Sequence, residues 1–411
     1  MGLKPHMVLI THSFPFGNAE RTFLASEMET LVKYFKVDIV SRNISDSITT
    51  KLPTDCCVYR YDTHKDYNWI SLLLNTFFSS DFWKEVIYLV KNNKDFLHCI
   101  RQTVSIHMRM LHFSRFLTNI RRDDGPTVYY TYWNGYETYA CKKIRSEKDI
   151  LITRTHGGDL YLKSDNRYYQ PYKDIANEGI NRVYFISDNG KDYYNNTYLR
   201  LSSSQTKVAR LGTINHNIES DISTDGYVHI ISLSRLFWVK RIDKLIESLS
   251  VIDDIRIDWT HIGDGELHDE IFSMAHDFLG HKSNISYHLL GNLDNSEVFS
   301  FMQSHPVDLI VNTSYSEGLP VSLMEAMSCG IPALAVAVGG IPEIIDDGVN
   351  GFLIPRDFTV DDFKSKIIQY ADFSIERKQE MHNNAFQMWE KNYNASVNYA
   401  DFARNIMGLL E

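Results

Sequence analysis

With 411 residues, the chain is longer than one ordinary hydrophobic core of about 150 residues requires, which predicts two domains. Its apolar share of 44% and aromatic share of 13% exclude a wholly disordered chain. The net charge of −10 excludes general binding to nucleic acid and other polyanions, so any phosphate site must be built locally from a few cations and backbone N–H groups.

The cysteines and the apolar runs bear on the compartment. Five cysteines without a Cys-x-x-Cys pair indicate a reducing environment and predict neither a zinc site nor a disulfide framework. The N-terminal stretch MGLKPHMVLITHS has too short an apolar run for a signal peptide. No run approaches the roughly 18 apolar residues of a membrane span. We therefore expect a cytoplasmic protein, either free or bound at the cytoplasmic face of the inner membrane.

The first half of the chain alternates short apolar runs with longer amphipathic segments. This pattern is typical of parallel strands covered by helices on both faces. A helix is predicted over 20–35, between the first two strands. The predicted strands are 7–13, 37–42, 128–133, 150–156 and 183–187. Residues 1–213 are therefore predicted to form a Rossmann-like domain.

Residues 64–122 interrupt this alternation with a helical, aromatic-rich insert. From Lys84 to Arg122 the insert carries eight cations and two anions, a local charge of +6 on an acidic chain. Aromatic residues at helical spacing are commonly core residues, and cations beside them a solvated face. The alternative is a surface for an acceptor or for anionic lipid, since basic amphipathic helices bind anionic membranes. The sequence leaves both interpretations open.

Residues 213–226 are polar and lack periodicity, which predicts an interdomain linker. The alternation then resumes and predicts a second Rossmann-like domain over 227–395, followed by a helix at 396–411 that crosses back to the first domain. The predicted strands are 228–235, 257–263, 285–291, 307–314, 331–336 and 351–354. The expected fold is α/β, with two doubly wound domains facing each other across a cleft and ligands at the carboxyl ends of the strands.

The stretch SEGLPVSLMEAMSCG places two glutamates on either side of a Gly-Leu-Pro turn. Glu317 follows a predicted strand and so lies at its carboxyl end. The proline suits the first turn of a helix, where its missing N–H would have no partner. The N–H groups of Val321 and Ser322 at the start of this helix predict a seat for an anion. Glu325 then lies inside the helix.

This stretch resembles the hallmark of the family-four retaining glycosyltransferases, which have the GT-B fold. The hallmark is Ser-x-x-Glu-Gly followed by Glu-Ala-Met-x-x-Gly-x-Pro, and GGIPEIIDDGVNGFLI continues the pattern without a gap. The matching residues are Ser314, Glu317, Gly318, Glu325, Ala326, Met327, Gly330 and Pro332. The resemblance implies that Glu317 contacts the donor sugar near its anomeric carbon and that Glu325 binds the ribose. A carboxylate suits a ribose because it can accept two hydrogen bonds from a vicinal diol.

The resemblance also assigns residues to the donor diphosphate. Arg235 and Lys240 follow the first strand of the second domain and match a pair that grips the diphosphate in the family. Val321 and Ser322 are assigned to the same group. Arg241 stands where the family has glycine, a departure that we expect to affect the local turn.

Further assignments concern the base, the sugar and the first domain. Gly263, in the turn HIGDGEL, and Gly291 and Asn292, in LLGNL, are assigned to the base. Gly17 follows the first strand, where the family has a glycine loop that approaches the diphosphate and the acceptor. His156, in THGGDLY, matches a histidine that contacts the hydroxyls of the donor sugar, and we count it with Glu317 as catalytic.

The resemblance implies a metal-independent hexosyltransferase that acts with retention of configuration. Its donor is a nucleoside diphosphate sugar, with a UDP-sugar favoured, and its acceptor is a hydroxyl of a glycan or lipid-linked oligosaccharide. No cofactor is expected, and assembly of a bacterial surface polysaccharide is the expected role. A GT-B epimerase or phosphorylase and a non-catalytic sugar-nucleotide-binding partner of a transferase remain as alternatives. A dehydrogenase is disfavoured because no Gly-x-Gly-x-x-Gly follows a strand.

Overall fold

The computed structural model describes residues 4–17, 20–43, 47–54, 56–65, 67–92, 95–121, 125–161, 169–198 and 201–411. The chain divides into two compact units, Met1–Arg210 with Tyr399–Glu411, and Leu211–Asn398. Within the described ranges, no helix is long and apolar enough to cross a membrane.

The first unit contains a seven-stranded sheet in its described residues. Its strands are β1 (His6–Thr11), β2 (Lys36–Ser41), β3 (Val58–Arg60), β4 (Thr127–Thr131), β5 (Ile150–Thr155), β6 (Arg182–Phe185) and β7 (Thr206–Val208). Its helices are α1 (Arg21–Tyr34), α2 (Trp69–Phe77), α3 (Ser80–Asn92), α4 (Phe96–Ile120), α5 (Tyr136–Ile144), α6 (Lys173–Asn177) and α7 (Asp188–Thr197). The strands pair in parallel in the order β3-β2-β1-β4-β5-β6-β7. The order therefore reverses between β1 and β4.

The second unit contains a six-stranded sheet. Its strands are β8 (Tyr227–Leu233), β9 (Arg256–Ile262), β10 (Ile285–Leu289), β11 (Leu309–Asn312), β12 (Ala333–Val336) and β13 (Gly351–Ile354). Its helices are α8 (Ile242–Ser250), α9 (His268–Leu279), α10 (Asn295–Ser304), α11 (Val321–Ser328), α12 (Val360–Ala371) and α13 (Ile375–Asn392), and α14 (Ala395–Met407) begins here and ends in the first unit. The parallel order is β10-β9-β8-β11-β12-β13, with its reversal between β8 and β11.

The predicted α/β class with two doubly wound, Rossmann-like units is confirmed. All eleven predicted strands are present, and so is the predicted helix at 20–35. The strands β3 and β7 were not predicted, because each has three residues at a sheet edge and is too short to show a period. Helices α2, α3 and α4 form the predicted insert; Lys94 and Arg122, two of its cations, lie outside the described residues.

The predicted domain bounds stay predictions. Residues 213–226 form neither helix nor strand and belong to the second unit. Of the predicted helix at 396–411, residues 396–407 lie within α14, and from Tyr399 onward the chain belongs to the first unit.

The first sheet is covered on both faces, which explains its continuous apolar strands. Alternate residues of a strand point to opposite faces. In β1, Met7 and Leu9 join a core with α1, whereas Val8 and Ile10 join a core with α4 and α5. Phe402, Ala403 and Ile406 of α14 complete the α1 side and are essentially buried. The first unit therefore needs residues that follow the whole second unit in the sequence.

Candidate active site

The reversal of strand order in the second sheet brings Glu317 and Lys240 together. Strands β8 and β11 are parallel neighbours, so the segments that follow them meet at one edge of the sheet. Lys240 Nζ donates to Glu317 Oε1 at 2.6 Å, and the Asn312 side-chain amide donates to the same oxygen at 3.3 Å. The Glu317 side chain is only 10% exposed. The carboxylate is thus fixed where a doubly wound sheet binds its ligand.

Arg235 is a second cation at this edge. It lies two residues beyond β8 and is exposed to solvent. Its guanidinium makes no ion pair or hydrogen bond within the described part of the chain. Arg235 therefore offers this edge of the sheet a cation without a competing carboxylate.

Gly263 and Gly265 pack against the loop that carries Arg235. A Cβ on Gly263 would lie 1.9 Å from the carbonyl oxygen of Ser234, and one on Gly265 would lie 2.3 Å from that of Leu236. The space that these glycines leave is thus occupied by protein backbone. The structure gives Gly263 a positioning role for the loop, and its predicted contact with the base stays a prediction.

Gly291 and Asn292, the other predicted base contacts, follow β10 beside this turn. The Gly263 N–H donates to the carbonyl of Gly291 at 2.8 Å. Gly291 has φ 70° with open space where a Cβ would stand, and Asn292 is exposed. The structure therefore brings the three residues together, and their role toward the base remains a prediction.

Arg241 holds a backbone conformation that favours glycine, with φ 51° and ψ 46°. Its Nε donates to the carbonyl of Thr313 at 2.7 Å, and Nη1 donates to that of Arg356 at 2.9 Å. Its guanidinium also lies 5.1 Å from the centre of the Phe358 ring. These contacts offset the cost of a positive φ, so the turn keeps the left-handed conformation although the glycine is replaced.

Helix α11 carries the predicted anion seat and Glu325. The helix begins at Val321, with Pro320 as its N-cap residue, one position before the predicted first turn. No side chain caps its first N–H groups, those of Val321 and Ser322.

Glu325 lies inside this helix and has its own partner. Asn295 Nδ2 donates to Glu325 Oε1 at 2.8 Å. Burial raises the pKa of Glu325 to about 7, against the lowering effect of this hydrogen bond. The two glutamates therefore have separate partners.

The segment GGIPE supports the Glu317 loop from behind. A Cβ on Gly339 would lie 1.9 Å from the carbonyl oxygen of Glu317, and the Gly340 N–H donates to the Gly318 carbonyl at 2.8 Å. In the sequence, this segment is visible only as a continuation of the motif. Its paired glycines were the signal that a close backbone approach was required here.

In the first unit, His156 follows β5 directly and is buried. Its backbone N–H donates to Asp159 Oδ1 at 2.7 Å, and its Nε2 donates to the carbonyl of Tyr132 at 3.1 Å. Burial lowers the pKa of His156 to about 4, so the ring is neutral at physiological pH. With the proton on Nε2, Nδ1 is an acceptor and suits a sugar hydroxyl.

The loop after β1 closes on Glu20, a residue that sequence analysis missed. The Glu20 carboxylate accepts hydrogen bonds from the backbone N–H groups of residues 12–14, at 3.2, 2.6 and 2.7 Å, and from Trp133 Nε1. Burial opposes ionisation, but these bonds together lower the pKa of Glu20. Gly17 has φ 62°, and its carbonyl accepts from Thr49 Oγ1 at 2.7 Å. Three loop N–H groups are therefore occupied by a side chain, and the diphosphate role of Gly17 stays a prediction.

Trp133 is the second residue that was missed. It lies beyond β4, and its ring centre is 5.6 Å from that of His12, nearly parallel to it, and 4.6 Å from that of His156. These three rings form an aromatic surface at the carboxyl ends of β1, β4 and β5. This surface was not predicted, because Trp133 ends the run VYYTYW, which was interpreted as a strand.

A cavity of about 320 Å³ in the second unit lies away from the predicted site residues. It is lined by residues 215 and 217–220, by Cys329 and Gly330, and by part of α13. We place the candidate site at the reversal of strand order, because the charged side chains converge there. Among the residues that the structure describes, no group of three His, Cys, Asp or Glu side chains could hold a metal ion.

The second unit of the chain matches a known protein family. Residues 216–388 match the family model described as Glycosyl transferases group 1. The second unit belongs to this family. An uncharacterized glycosyltransferase of Methanocaldococcus jannaschii is 37% identical over 140 residues, which are 34% of this chain and 37% of that protein. The chain spans 37–60% of the length of the first three curated relatives that it matches.

Likeness to solved structures extends over both units. The lipopolysaccharide outer core galactosyltransferase WaaB in its apo form has a TM-score of 0.70 at 15% identity, covering 98% of this chain and 99% of that one. Anabaena HepE in complex with UDP and glucose has a TM-score of 0.66 at 15% identity, with 98% and 99% covered. At such identity the likeness establishes the fold, and the predicted GT-B class is confirmed.

Proposed function

We propose that the chain transfers a sugar from a nucleoside diphosphate donor to a hydroxyl of a glycan or lipid-linked acceptor, with retention of anomeric configuration. The observation that carries the proposal is the Glu317–Lys240 pair, 2.6 Å apart at the strand-order reversal of the group 1 unit. The same edge of the sheet carries an exposed arginine, Arg235, and the uncapped start of α11. This set offers one group for a sugar and several for a diphosphate.

The leaving diphosphate gains negative charge as the bond to the sugar breaks. Fixed cations and N–H groups that point at this charge lower the barrier most, because they need no reorganisation. In the proposal, Arg235, Lys240 and the N-terminus of α11 supply them. Lys240 also contacts Glu317, so one cation links the groups that serve the diphosphate and the sugar.

Glu317 faces the donor sugar in the proposal. Its carboxylate holds sugar hydroxyls and stabilises the positive charge that develops on the ring. The bond from the anomeric carbon to the phosphate oxygen breaks, and the acceptor oxygen bonds to the same face. The acceptor proton passes to the departing phosphate oxygen. The protein cations supply the charge stabilisation, so we propose a hexosyl transfer that requires neither a metal nor a cofactor.

His156 and Glu325 keep their predicted roles toward the donor in this proposal. The neutral His156 accepts a hydrogen bond from a sugar hydroxyl, and Glu325 accepts from the ribose diol. Gly263, Gly291 and Asn292 border the base. A UDP-sugar is our favoured donor, and the UDP in the Anabaena HepE structure supports this choice.

The biological role that we propose is surface polysaccharide assembly in the cytoplasm. The name of WaaB, a lipopolysaccharide galactosyltransferase of the same fold, supports the role. All five cysteines lie in described parts of the chain and none forms a disulfide, which suits a reducing compartment.

A donor screen followed by product analysis tests the proposal. Thermal shifts should identify one base among uridine, guanosine and adenosine diphosphate sugars. A donor at a hundredfold excess over its Kd stabilises its target by about 2.7 kcal/mol. Transfer should then proceed in EDTA without added phosphate, and NMR should show the donor's anomeric configuration in the product. Transfer that needs added phosphate would indicate a phosphorylase. Conversion of the donor sugar to its epimer would indicate an epimerase, and donor binding without turnover would indicate a non-catalytic partner.

A further inference from the structure

Helices α2 and α3 leave many large apolar side chains uncovered. Across the described residues, 20 large hydrophobic side chains are exposed, and ten of them lie between Trp69 and Leu97. Such concentration is unusual, because exposed apolar residues are ordinarily scattered and large contiguous patches mark interaction sites.

The exposed side chains of α2 form one stripe. Ile70, Leu74 and Phe78 follow each other at intervals of one turn and are 54%, 55% and 87% exposed, with Phe77 beside them. On the opposite side, Leu72 and Thr76 are fully buried. The helix is therefore apolar on both its inner and its outer face, although only the inner face is covered by other described parts of the chain.

The outer face of α3 continues this stripe and adds cations. Trp83, Ile87 and Val90 are 50%, 55% and 67% exposed and lie along one side of the helix. Lys84 and Lys91, two turns apart, border them and are exposed. Trp83 Nε1 donates to the carbonyl of Phe77 at 2.8 Å, which joins the two stripes across the turn.

The acidic residues of α3 are turned away from this surface. Glu85 is 5% exposed. Asp81 is mostly buried, accepts a hydrogen bond from the Tyr139 hydroxyl at 2.5 Å and pairs with Lys143 at 3.1 Å. Its other oxygen lies 3.7 Å from Lys84 Nζ, a looser pair that leaves the Lys84 side chain 60% exposed. Helix α2 has no charged residue. The outer face of the hairpin therefore combines apolar side chains with positive charge, on a chain whose net charge is −10.

We propose that the outer face of the α2–α3 hairpin binds the surface of a lipid bilayer that contains anionic lipid. Aromatic and aliphatic side chains beside lysines are the composition of helices that lie in a membrane interface. Each lysine near an anionic surface adds about a fivefold gain in affinity. A second copy of the chain fits less well, because a symmetric contact would bring two basic faces together.

The insert combines the two interpretations that the sequence left open. The aromatic stripe of the insert is part core, as with Phe82 and Leu89, and part uncovered surface. The proposed lipid binding does not depend on the proposed transfer reaction, since lipid binding and sugar transfer are measured separately.

Vesicle co-sedimentation tests the proposal with a double variant and a matched control. Wild type should sediment with vesicles of phosphatidylglycerol and phosphatidylcholine in equal parts. Leu74→Gln with Phe78→Gln should weaken vesicle binding at least about tenfold. The variant lacks two apolar side chains whose transfer from water into the bilayer would favour binding. Ile375→Gln with Phe278→Gln removes two exposed apolar side chains from the second unit and should leave binding unchanged. Thermal melting of both variants checks that they are folded.

Two further measurements locate the contact. Lys84→Gln with Lys91→Gln should weaken binding about 25-fold, and pure phosphatidylcholine vesicles should bind wild type correspondingly less. Lipids brominated in their chains should quench the fluorescence of wild type. Trp69→Phe with Trp83→Phe keeps the apolar surface, so it should still bind but lose this quenching.

Three results would overturn the proposal. One is absence of vesicle binding by wild type, and another is equal binding by the Leu74/Phe78 variant and wild type. The third is a dimer in the absence of vesicles that the Leu74/Phe78 variant disperses, because the surface would then pair two copies of the chain.

Discussion

Gly339 lies directly behind the carbonyl oxygen of Glu317. A Cβ at this position would stand 1.9 Å from that oxygen, and Gly339 has φ 56°. The hydrogen bond from Gly340 to Gly318 fastens the same two segments. The position of the Glu317 loop therefore depends on a residue without a side chain in a segment 22 positions further along the chain.

Gly339→Ala should lower turnover by about 100-fold, because a displacement of about 1 Å at a reacting group has this effect. Gly348→Ala is the matched control: its φ is 77°, and no atom lies within 4 Å of the position that a Cβ would take. Both variants should lose about 1 kcal/mol of stability from the positive φ. Initial rates and thermal melting check this. Equal rates in the two variants would show that the contact does not position Glu317.

Removal of either cation of the proposed diphosphate site should slow transfer strongly. Arg235→Ala and Lys240→Ala should each cost about 100-fold or more in turnover, as loss of a preorganised group facing developing charge does. Lys244→Ala is the control, since Lys244 pairs with Glu247 on α8 at 2.5 Å and its loss should change the rate little. Near wild-type turnover of both single variants would refute the assignment.

Glu317→Gln keeps the shape of the side chain and removes its charge. We expect nucleotide affinity to stay largely intact while turnover falls at least about 100-fold, equivalent to roughly 2.7 kcal/mol of barrier. Calorimetry with the nucleotide and rates at saturating donor, on one preparation, separate the two effects. Weakened nucleotide binding with unchanged saturated turnover would show that Glu317 does not face the sugar.

The raised pKa of Glu325, about 7, predicts pH-dependent donor binding. If the ribose hydroxyls donate to the ionised carboxylate, the donor competes with a proton, and its affinity should rise about tenfold from pH 6 to pH 8. Glu325→Gln should bind more weakly at pH 8 and lose this dependence, because an amide does not titrate. Calorimetry at three pH values checks both. An affinity that falls with rising pH would mean that the protonated acid binds the ribose.

Glu20→Gln should destabilise the first unit, because an amide cannot accept all the hydrogen bonds that this buried carboxylate receives. The expected loss is about 1.5–3 kcal/mol, and Glu29→Gln, on the exposed side of α1, should cost little. Since the pKa of Glu20 is lowered from 4.5, its contribution is present above pH 4.5 and is lost as pH falls through the folded-state pKa. Urea unfolding of both variants over a series of pH values from 7 downward measures this, and a loss that stays constant over the whole series would contradict an ionised Glu20.

The positions of Glu317 and Arg235 were predictable, because each follows a buried strand and parallel strands end at one edge of the sheet. The contact between Glu317 and Lys240 was not predictable. These residues are 77 positions apart, and their meeting depends on β8 and β11 being neighbours. Strand order is set by packing of the whole unit and leaves no local pattern in the sequence.

The roles of several residues in the loops were also hidden. A glycine pattern does not tell whether a ligand or the protein's own backbone fills the space, and at Gly263 it is the Ser234 carbonyl. Periodicity showed that α2 is apolar, but it cannot tell a covered apolar face from an uncovered one. The role of Glu20 was not predictable either, because three of its partners are backbone N–H groups, which leave no pattern in a sequence.

The return of the chain to the first unit constrains how the protein is made. Residues 399–411 leave the ribosome only after all of residues 211–398, yet Phe402 and Ile406 fill the core beside α1. Domains commonly fold in order of synthesis. Here the unit synthesised first must wait with part of its core open until residues 399–411 emerge. Production of the first unit alone would require residues 399–411 to be joined to it by a new connection.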